Sequence, residues 1–324
     1  MIGGKELPKI YTQPLVKNNR NNCLSSQEGV KMQDNLGFLD RLTVTVLIED
    51  YAGYDCGLLA QHGISFFIEA VKNDYSKYIL FDTGQDSYPL LENMKLLGAD
   101  PEKIDLVVLS HGHYDHTGGL TGFLEAAGKI NIPIIAHPDL FRPTFSLKPS
   151  FRSFGTGTEC TPEIISSLGG ELILTSETLS LMEGVVTSGE IDKKISYEKE
   201  STLSAFTLDE GKIMPDQFQD DLSLFFILSG GLVILTGCAH AGIINIVEQA
   251  VKITGIDRIA AVIGGFHLVS ADKKRIDMTA RNLQSRSESL VFAGHCTGLK
   301  AEAELLRKLG DRFNKLRTGL KIDF

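Results

Sequence analysis

Short apolar runs alternate with amphipathic segments along most of the chain. Runs rich in β-branched and aromatic residues predict strands, and segments with apolar residues three and four positions apart predict helices. The predicted strands cover 42–50, 64–71, 77–84, 104–110, 132–137, 171–175, 184–191, 222–231, 232–240, 258–267 and 289–295. The predicted helices cover 87–98, 118–128, 161–169, 242–255, 272–286 and 298–310. Two strand-rich halves, each interrupted by helices, indicate an α+β sandwich of mixed sheets with helices outside.

The pattern also predicts where the compact part of the chain begins. Residues 1–40 are polar, rich in asparagine and poorly periodic, so we predict an N-terminal extension there and one domain over 41–324. Within that domain, an insertion around 138–170 is irregular apart from one predicted helix. Long irregular insertions in compact domains are usually functional, so we predict that this segment covers a substrate.

Composition narrows the classes of partner. Of 324 residues, 32 are Lys or Arg and 41 are Asp or Glu, and the formal charge of −9 argues against nucleic-acid binding. No apolar run approaches the roughly 18–20 residues of a membrane span, and the first residues lack the apolar core of a secretion signal. The five cysteines are scattered without a CxxC pair, which fits reduced thiols. We therefore expect a cytoplasmic protein without a membrane partner, and its oligomeric state stays open.

The most informative stretch is SHGHYDHTGG, residues 110–119, which follows a predicted strand directly. His111 and His113 are two residues apart at the strand end, so both imidazoles can bind one ion, while Asp115 and His116 can address a second ion. Three imidazoles and a carboxylate suit zinc, iron or manganese. The alternative, a polar turn whose histidines only form hydrogen bonds, would leave four polar groups to be satisfied without metal.

This stretch resembles the HxHxDH signature of the metallo-β-lactamase superfamily, and FDTG at 81–84, with Asp82, is similar to its first motif. The resemblance extends from about residue 42 onward. It implies an αββα sandwich of two mixed β-sheets flanked by helices, with two divalent metal ions at one edge. Zinc is the favoured ion, with iron and manganese as alternatives, and Asp115 is assigned a catalytic as well as a ligating role.

The superfamily usually completes its site with a later histidine, a bridging aspartate and a last histidine. In LVILTGCAH, Cys238 stands where the aspartate is expected and His240 follows two residues later. We predict His240 as a ligand and keep Cys238 open between ligand and small buried residue. No histidine lies between His137 and His240, so the intermediate position is either taken by Glu190 or left vacant.

Three further histidines require an interpretation. His295 in FAGHCTG resembles the terminal metal-binding histidine, and we predict it as a ligand. His267 in GGFHL also ends a predicted strand and is assigned a catalytic role as proton donor or substrate contact, with metal binding as the alternative. His62 precedes these strands and is interpreted as a structural or surface residue.

The motifs GCAHAGI, GGFHL and HCTG resemble one branch of the superfamily, the dihydropterin-linked ribofuranosylaminobenzene phosphate synthases. The primary hypothesis is a metal-dependent hydrolase acting through metal-activated water on a small anionic substrate, either phosphorylated or pterin-like. The branch implies the alternative of pterin-linked transfer, with Arg142, Lys148 and Arg152 as candidate phosphate-binding residues. A di-iron redox protein and a non-catalytic metal-binding sensor or scaffold are the other classes considered.

Overall fold

The computed structural model describes residues 36–199, 203–286 and 288–324. In chain order its first strands are β1 (Arg41–Ile48), β2 (Ser65–Lys72), β3 (Tyr75–Phe81), β4 (Leu106–Val108), β5 (Ile132–Ala136), β6 (Thr144–Ser146), β7 (Arg152–Ser153), β8 (Gly170–Leu174) and β9 (Ser180–Met182). The later strands are β10 (Val185–Thr187), β11 (Phe206–Asp209), β12 (Lys212–Pro215), β13 (Ser223–Leu228), β14 (Gly231–Thr236), β15 (Ile259–Gly265), β16 (Leu290–Gly294), β17 (Phe313–Lys315) and β18 (Lys321–Asp323). The α-helices are α1 (Ser87–Leu97), α2 (Tyr114–Thr117), α3 (Leu120–Ala127), α4 (Pro162–Ser167), α5 (Ile243–Thr254), α6 (Lys273–Ser285) and α7 (Leu299–Leu309).

Two seven-stranded mixed sheets form the centre of the fold. The first has the order β18-β1-β2-β3-β4-β5-β8 and the second the order β17-β16-β15-β14-β13-β10-β9. In the first sheet, β3, β4, β5 and β8 are parallel, and in the second, β14 to β17 are parallel. Each sheet therefore has a block of parallel strands whose carboxyl ends open on one edge, where sites in such sheets are usually built.

Three hydrophobic clusters account for the layering. Between the sheets, Val46, Phe66 and Phe81 pack with Phe226 and Leu235. Helices α1 and α3 cover the outer face of the first sheet, and α5, α6 and α7 cover the outer face of the second. Strands β13 and β14 are consequently buried on both faces, which explains their continuous apolar sequences. The predicted αββα sandwich is confirmed.

The segment predicted as an insertion contributes two strands to a third, smaller sheet. Strands β6 and β7 pair with the hairpin of β11 and β12 in the order β12-β11-β6-β7. Helix α4 is the helix predicted within this segment.

Only the last residues of the predicted N-terminal extension lie among the described residues. Residues 1–35 of the predicted N-terminal extension lie outside the described residues. Of the remainder, Leu36 and Leu39 are buried, and Leu39 forms a bridge with Leu228, so packing extends a few residues ahead of the predicted start at 41. Within the described ranges, no helix combines the length and apolar character needed to cross a bilayer.

Candidate metal centre

Strand ends from both sheets bring the predicted site residues together. Asp82 follows β3, His111 comes three residues after β4, and His240 lies four residues after β14. His267 follows β15, and His295 follows β16 directly. His113 precedes the short helix α2, which carries Asp115 and His116.

His111, His113 and His240 form what we call the first ligand set. Their candidate ligand atoms all lie within 4.8 Å of one another, and their ring centroids are separated by 4.5 to 4.8 Å. All three side chains are buried. Phe218 stacks on His240 with a centroid distance of 4.4 Å, so an apolar ring closes one side of this set.

The electrostatics of the first ligand set favour neutral imidazoles. Burial lowers the pKa values of His111 and His240 well below the usual range, and the neighbouring histidines lower them further. Burial also lowers the pKa of His113 to about 3. Nε2 of His111, Nε2 of His113 and both ring nitrogens of His240 have no hydrogen-bond partner among the described residues. Buried polar atoms usually have partners, and a neutral imidazole is the form that binds metal, so these residues fit a divalent ion.

Asp115, His116, Cys238 and His295 form what we call the second ligand set. Asp115 Oδ2 lies 3.6 Å from His116 Nε2 and 3.3 Å from His295 Nε2. The Cys238 thiol lies 3.1 Å from His116 Nε2. Carboxylate, imidazole and thiolate groups in this proximity fit zinc or iron.

Carboxylate and thiol groups surround the imidazoles of the second ligand set, so their pKa values shift in the opposite direction from those of the first set. Burial opposes protonation of His116, but the carboxylates of Asp82 and Asp115 outweigh it and raise its pKa. Burial likewise opposes protonation of His295, whose pKa is nevertheless raised by Cys296, Asp115 and Asp50. Burial is also the main cause of the raised pKa of the Cys238 thiol. A cation bound here would take the place of these protons.

Asp82 holds this part of the site from behind. Its carboxylate accepts hydrogen bonds from Ser110 N (2.7 Å) and Ser110 Oγ (2.6 Å) and lies 2.6 Å from His116 Nδ1. Such an outer carboxylate would fix the ring of His116 and leave Nε2 available to a bound ion. A Cβ at Gly237 would lie 2.2 Å from Ser110 Oγ, so the segment between β14 and Cys238 needs glycine at this position.

Backbone strain is concentrated at the same edge. Asp82, Ala239, His267 and His295 have φ values of 56°, 51°, 44° and 49°, in the left-handed region that residues other than glycine rarely enter. Such residues cluster at functional sites, where the surrounding structure holds them in place.

The remaining sequence-predicted candidates are placed as follows. His267 lies beside the first ligand set, with its ring 4.2 Å from that of His240, and it groups with Cys238 and His240 as a potential ligand. Glu190, the candidate for the intermediate position, lies 3.0 Å from Nε2 of His137, and its side chain is 49% exposed. His240 is the residue that groups with His111 and His113.

The three candidate phosphate-binding cations differ in their surroundings. Arg142 is bound to Asp216 and lies 3.1 Å from Asp220, so carboxylates already neutralise its charge. Lys148 is exposed. Arg152 donates a 2.9 Å hydrogen bond to the Tyr114 hydroxyl and stacks on the rings of Tyr114 and Phe154.

The contacts of Arg152 place it near the metal motif. Tyr114 lies between His113 and Asp115 in the sequence, and Tyr114 N donates a 2.8 Å hydrogen bond to Phe154 O. The predicted insertion is therefore tied to the motif at this point.

Several residues at the site were not identified from the sequence. Cys296 Sγ groups with Cys238 and His295. Glu49 Oε1 accepts a 2.5 Å hydrogen bond from His295 N, and Asp50 Oδ2 lies 3.2 Å from His295 Nδ1. His62, interpreted as structural or surface, lies with Asp50 at this same edge. Glu49 and Asp50 directly follow β1 in the first sheet, and acidic residues at a strand end were a signal that could have pointed to them.

Comparisons with known proteins agree with this architecture. A family model described as the metallo-beta-lactamase superfamily matches residues 64–205. A 7,8-dihydropterin-6-methyl-4-(beta-D-ribofuranosyl)-aminobenzene-5'-phosphate synthase from Methanocaldococcus jannaschii is 41% identical over 292 residues, covering 90% of this chain and 99% of the relative. An uncharacterized protein from the same organism is 35% identical over 246 residues, covering 76% of this chain and 88% of the relative.

Among solved structures, Tm1679, a metal-dependent hydrolase of the beta-lactamase superfamily, is similar with a TM-score of 0.72 and 26% identity. The match covers 87% of this chain and 98% of that structure. Histidine sites lie at the strand ends, and a 41% identical relative is covered over nearly its full length. The chain therefore belongs to the metallo-β-lactamase superfamily, in the branch that includes the synthase from M. jannaschii.

Proposed function

We propose that this protein is an enzyme that binds two divalent metal ions, preferably zinc, and hydrolyses or transfers a small anionic substrate that is phosphorylated or pterin-like. The observation that carries the proposal is the pair of adjacent ligand sets. The first has four buried imidazole nitrogens without a hydrogen-bond partner in the described part of the chain, and the second brings Asp115, His116, Cys238 and His295 together. We further infer a cytoplasmic enzyme with no nucleic-acid partner, consistent with its formal charge of −9.

Bound divalent ions would lower the pKa of a water molecule and stabilise negative charge on a substrate oxygen. The residues of the chain supply the rest. Neutral imidazoles of the first ligand set and the Asp115 carboxylate hold the cations, while Asp82 fixes the orientation of His116. Phe218 excludes water from one side of His240. His267 lies beside His240 and is only half-buried, so it can deliver a proton to a leaving group.

Pterin-linked transfer is the second candidate, because the relative at 41% identity is named as a synthase. In that reaction the nitrogen of a phosphorylated aromatic amine would form a bond with the methyl carbon of a dihydropterin. The bond from that carbon to its leaving group would break, and the amine would lose one proton. His267 is the group beside the ligand sets that we assign to proton transfer in this case as well.

Parallel assays on zinc-loaded protein test both candidates. Release of 4-nitrophenolate from bis(4-nitrophenyl) phosphate supports the hydrolase. A coupled product formed from a phosphorylated aminobenzene riboside and a dihydropterin with a diphosphate on its methyl carbon supports the transferase. Protein that takes up no metal and turns over neither substrate contradicts the enzymatic proposal and favours a sensor or scaffold.

Arg152 is expected to bind the anionic group of the substrate. In Arg152→Ala, the inhibition constant for phenyl phosphate should rise about fivefold to tenfold, a loss of about 1 kcal/mol, because an exposed cation contributes modestly. Metal content should be unchanged. Lys148→Ala is the matched control, since it removes an exposed cation from the same insertion. An unchanged inhibition constant in Arg152→Ala would rule out this role.

Cys238→Ser tests whether the thiol is a ligand. We expect at least one ion to stay bound, because the first ligand set does not include Cys238. Cobalt-loaded wild-type protein should show a near-ultraviolet sulfur-to-cobalt charge-transfer band that the variant lacks. Complete loss of metal from the variant would show that the thiol is required for both ions.

A further inference from the structure

His62 lies closer to the second ligand set than its sequence context indicates. Its Nε2 is 3.4 Å from Asp115 Oδ2, the same oxygen that faces Nε2 of His116 at 3.6 Å and Nε2 of His295 at 3.3 Å. Its ring centroid is 5.0 Å from that of His295. Three imidazole nitrogens therefore surround one carboxylate oxygen.

The other ring nitrogen of each of these imidazoles is engaged by a carboxylate. Asp50 Oδ1 lies 3.1 Å from His62 Nδ1, and Asp50 Oδ2 lies 3.2 Å from His295 Nδ1. Asp82 does the same for His116. A carboxylate on one nitrogen with the other directed inward is the usual arrangement of a metal-binding histidine, so His62 is held in the same way as two predicted ligands.

The loop that carries His62 is fitted closely to the metal motif. Gly63 N donates a 3.2 Å hydrogen bond to Asp50 Oδ1. A Cβ at Gly63 would lie 2.1 Å from the main-chain oxygen of Asp115, and the φ of +121° also favours glycine. The His62 side chain is 51% exposed, so it occupies the solvent side of the second ligand set.

We propose that His62 is a further ligand of the ion held by the second ligand set. This inference rests on the proposed function, because it assumes that the ion binds. His62 belongs to neither the HxHxDH stretch nor the later histidine motifs. The ion in this position would then be held by imidazoles from three separate segments of the chain, together with Asp115 and Cys238.

Metal titration of chelator-stripped protein tests the proposal. Wild-type protein titrated with Co²⁺ should bind two ions. His62→Ala should bind the ion of the second ligand set at least about tenfold less tightly, with a changed visible cobalt spectrum. His62→Gln, which keeps a polar side chain of similar length, should lose the same affinity. His137→Ala is the matched control, because His137 is bound to Glu190 and Asp139 N instead.

The outcomes separate this proposal from the proposed function. If both His62 variants bind two ions with wild-type affinity and spectrum, His62 is not a ligand, whereas the metal-dependent function stands. If wild-type protein binds no Co²⁺ or Zn²⁺, both proposals are wrong. If His137→Ala loses affinity as His62→Ala does, the effect is not specific to the site and the ligand assignment is overturned.

Discussion

Replacing His113 with alanine is expected to remove the ion of the first ligand set and to lower turnover by more than about 100-fold. Loss of an outer residue that only orients a metal ligand already costs about 10–100-fold, and His113 is predicted to bind the ion itself. The fold should persist, since the large hydrophobic clusters do not include this side chain. Metal content by elemental analysis, measured beside turnover and circular dichroism, checks the expectation.

His137→Ala serves as the control for His113→Ala, because it removes a buried imidazole whose partners are Glu190 and Asp139 N. It should retain both ions. Full metal stoichiometry in His113→Ala would refute the assignment of His113 as a ligand.

The second large effect is expected on stability. Asp82→Ala removes the acceptor for Ser110 N and Ser110 Oγ and the partner of His116 Nδ1, all of which are buried. Removing one member of a buried, hydrogen-bonded ion pair costs about 3–5 kcal/mol. Alanine also tolerates the positive φ of this position less well than aspartate or asparagine does. Urea unfolding of the metal-free protein at pH 7 measures the change.

Asp82→Asn separates the loss of hydrogen bonds from the loss of charge. Its side-chain oxygen can still accept from Ser110 N, so it should cost less free energy of unfolding than Asp82→Ala. A loss below about 1 kcal/mol in Asp82→Ala would mean that this network does not stabilise the fold.

The main architecture could be predicted because burial leaves a periodic signal. Strands β13 and β14 read as continuous apolar runs because helices cover one face and the other sheet covers the opposite face. Helix α5 has apolar residues at helical spacing and ends at Thr254, followed by Gly255 with a left-handed φ. The αββα sandwich followed from these elements together with the HxHxDH resemblance.

The small third sheet was harder to predict, because its strands carry little of that signal. All four residues of β12 are exposed, and the strand ends in proline. Strands β11 and β12 form a local hairpin, but the pairing of β11 with β6 joins chain segments about 60 residues apart, as in the pairing of Phe206 with Phe145. Local sequence does not record such a pairing.

The residues of the candidate site also fall into those that local sequence predicts and those that it does not. The dense motif from His111 to His116 was predicted from its spacing, and His240 and His295 were predicted from strand ends together with the superfamily resemblance; the structure brings these residues to one edge of the sheets. Asp50 and His62 were missed. Asp50 follows a strand end, but its contact with His295 spans 245 positions of the chain, and His62 has no neighbouring ligand residue in sequence. The ion pairs of Arg142 with Asp216 and Asp220 were hidden for the same reason.

Anomalous diffraction from crystals of protein purified without added metal, recorded at the zinc and iron absorption edges, tests the central claim most directly. The account predicts two peaks, one among His111, His113 and His240 and the other beside Asp115, His116 and His295. Absence of both peaks after soaking the crystals in zinc, with the imidazoles turned away from one another, would contradict it.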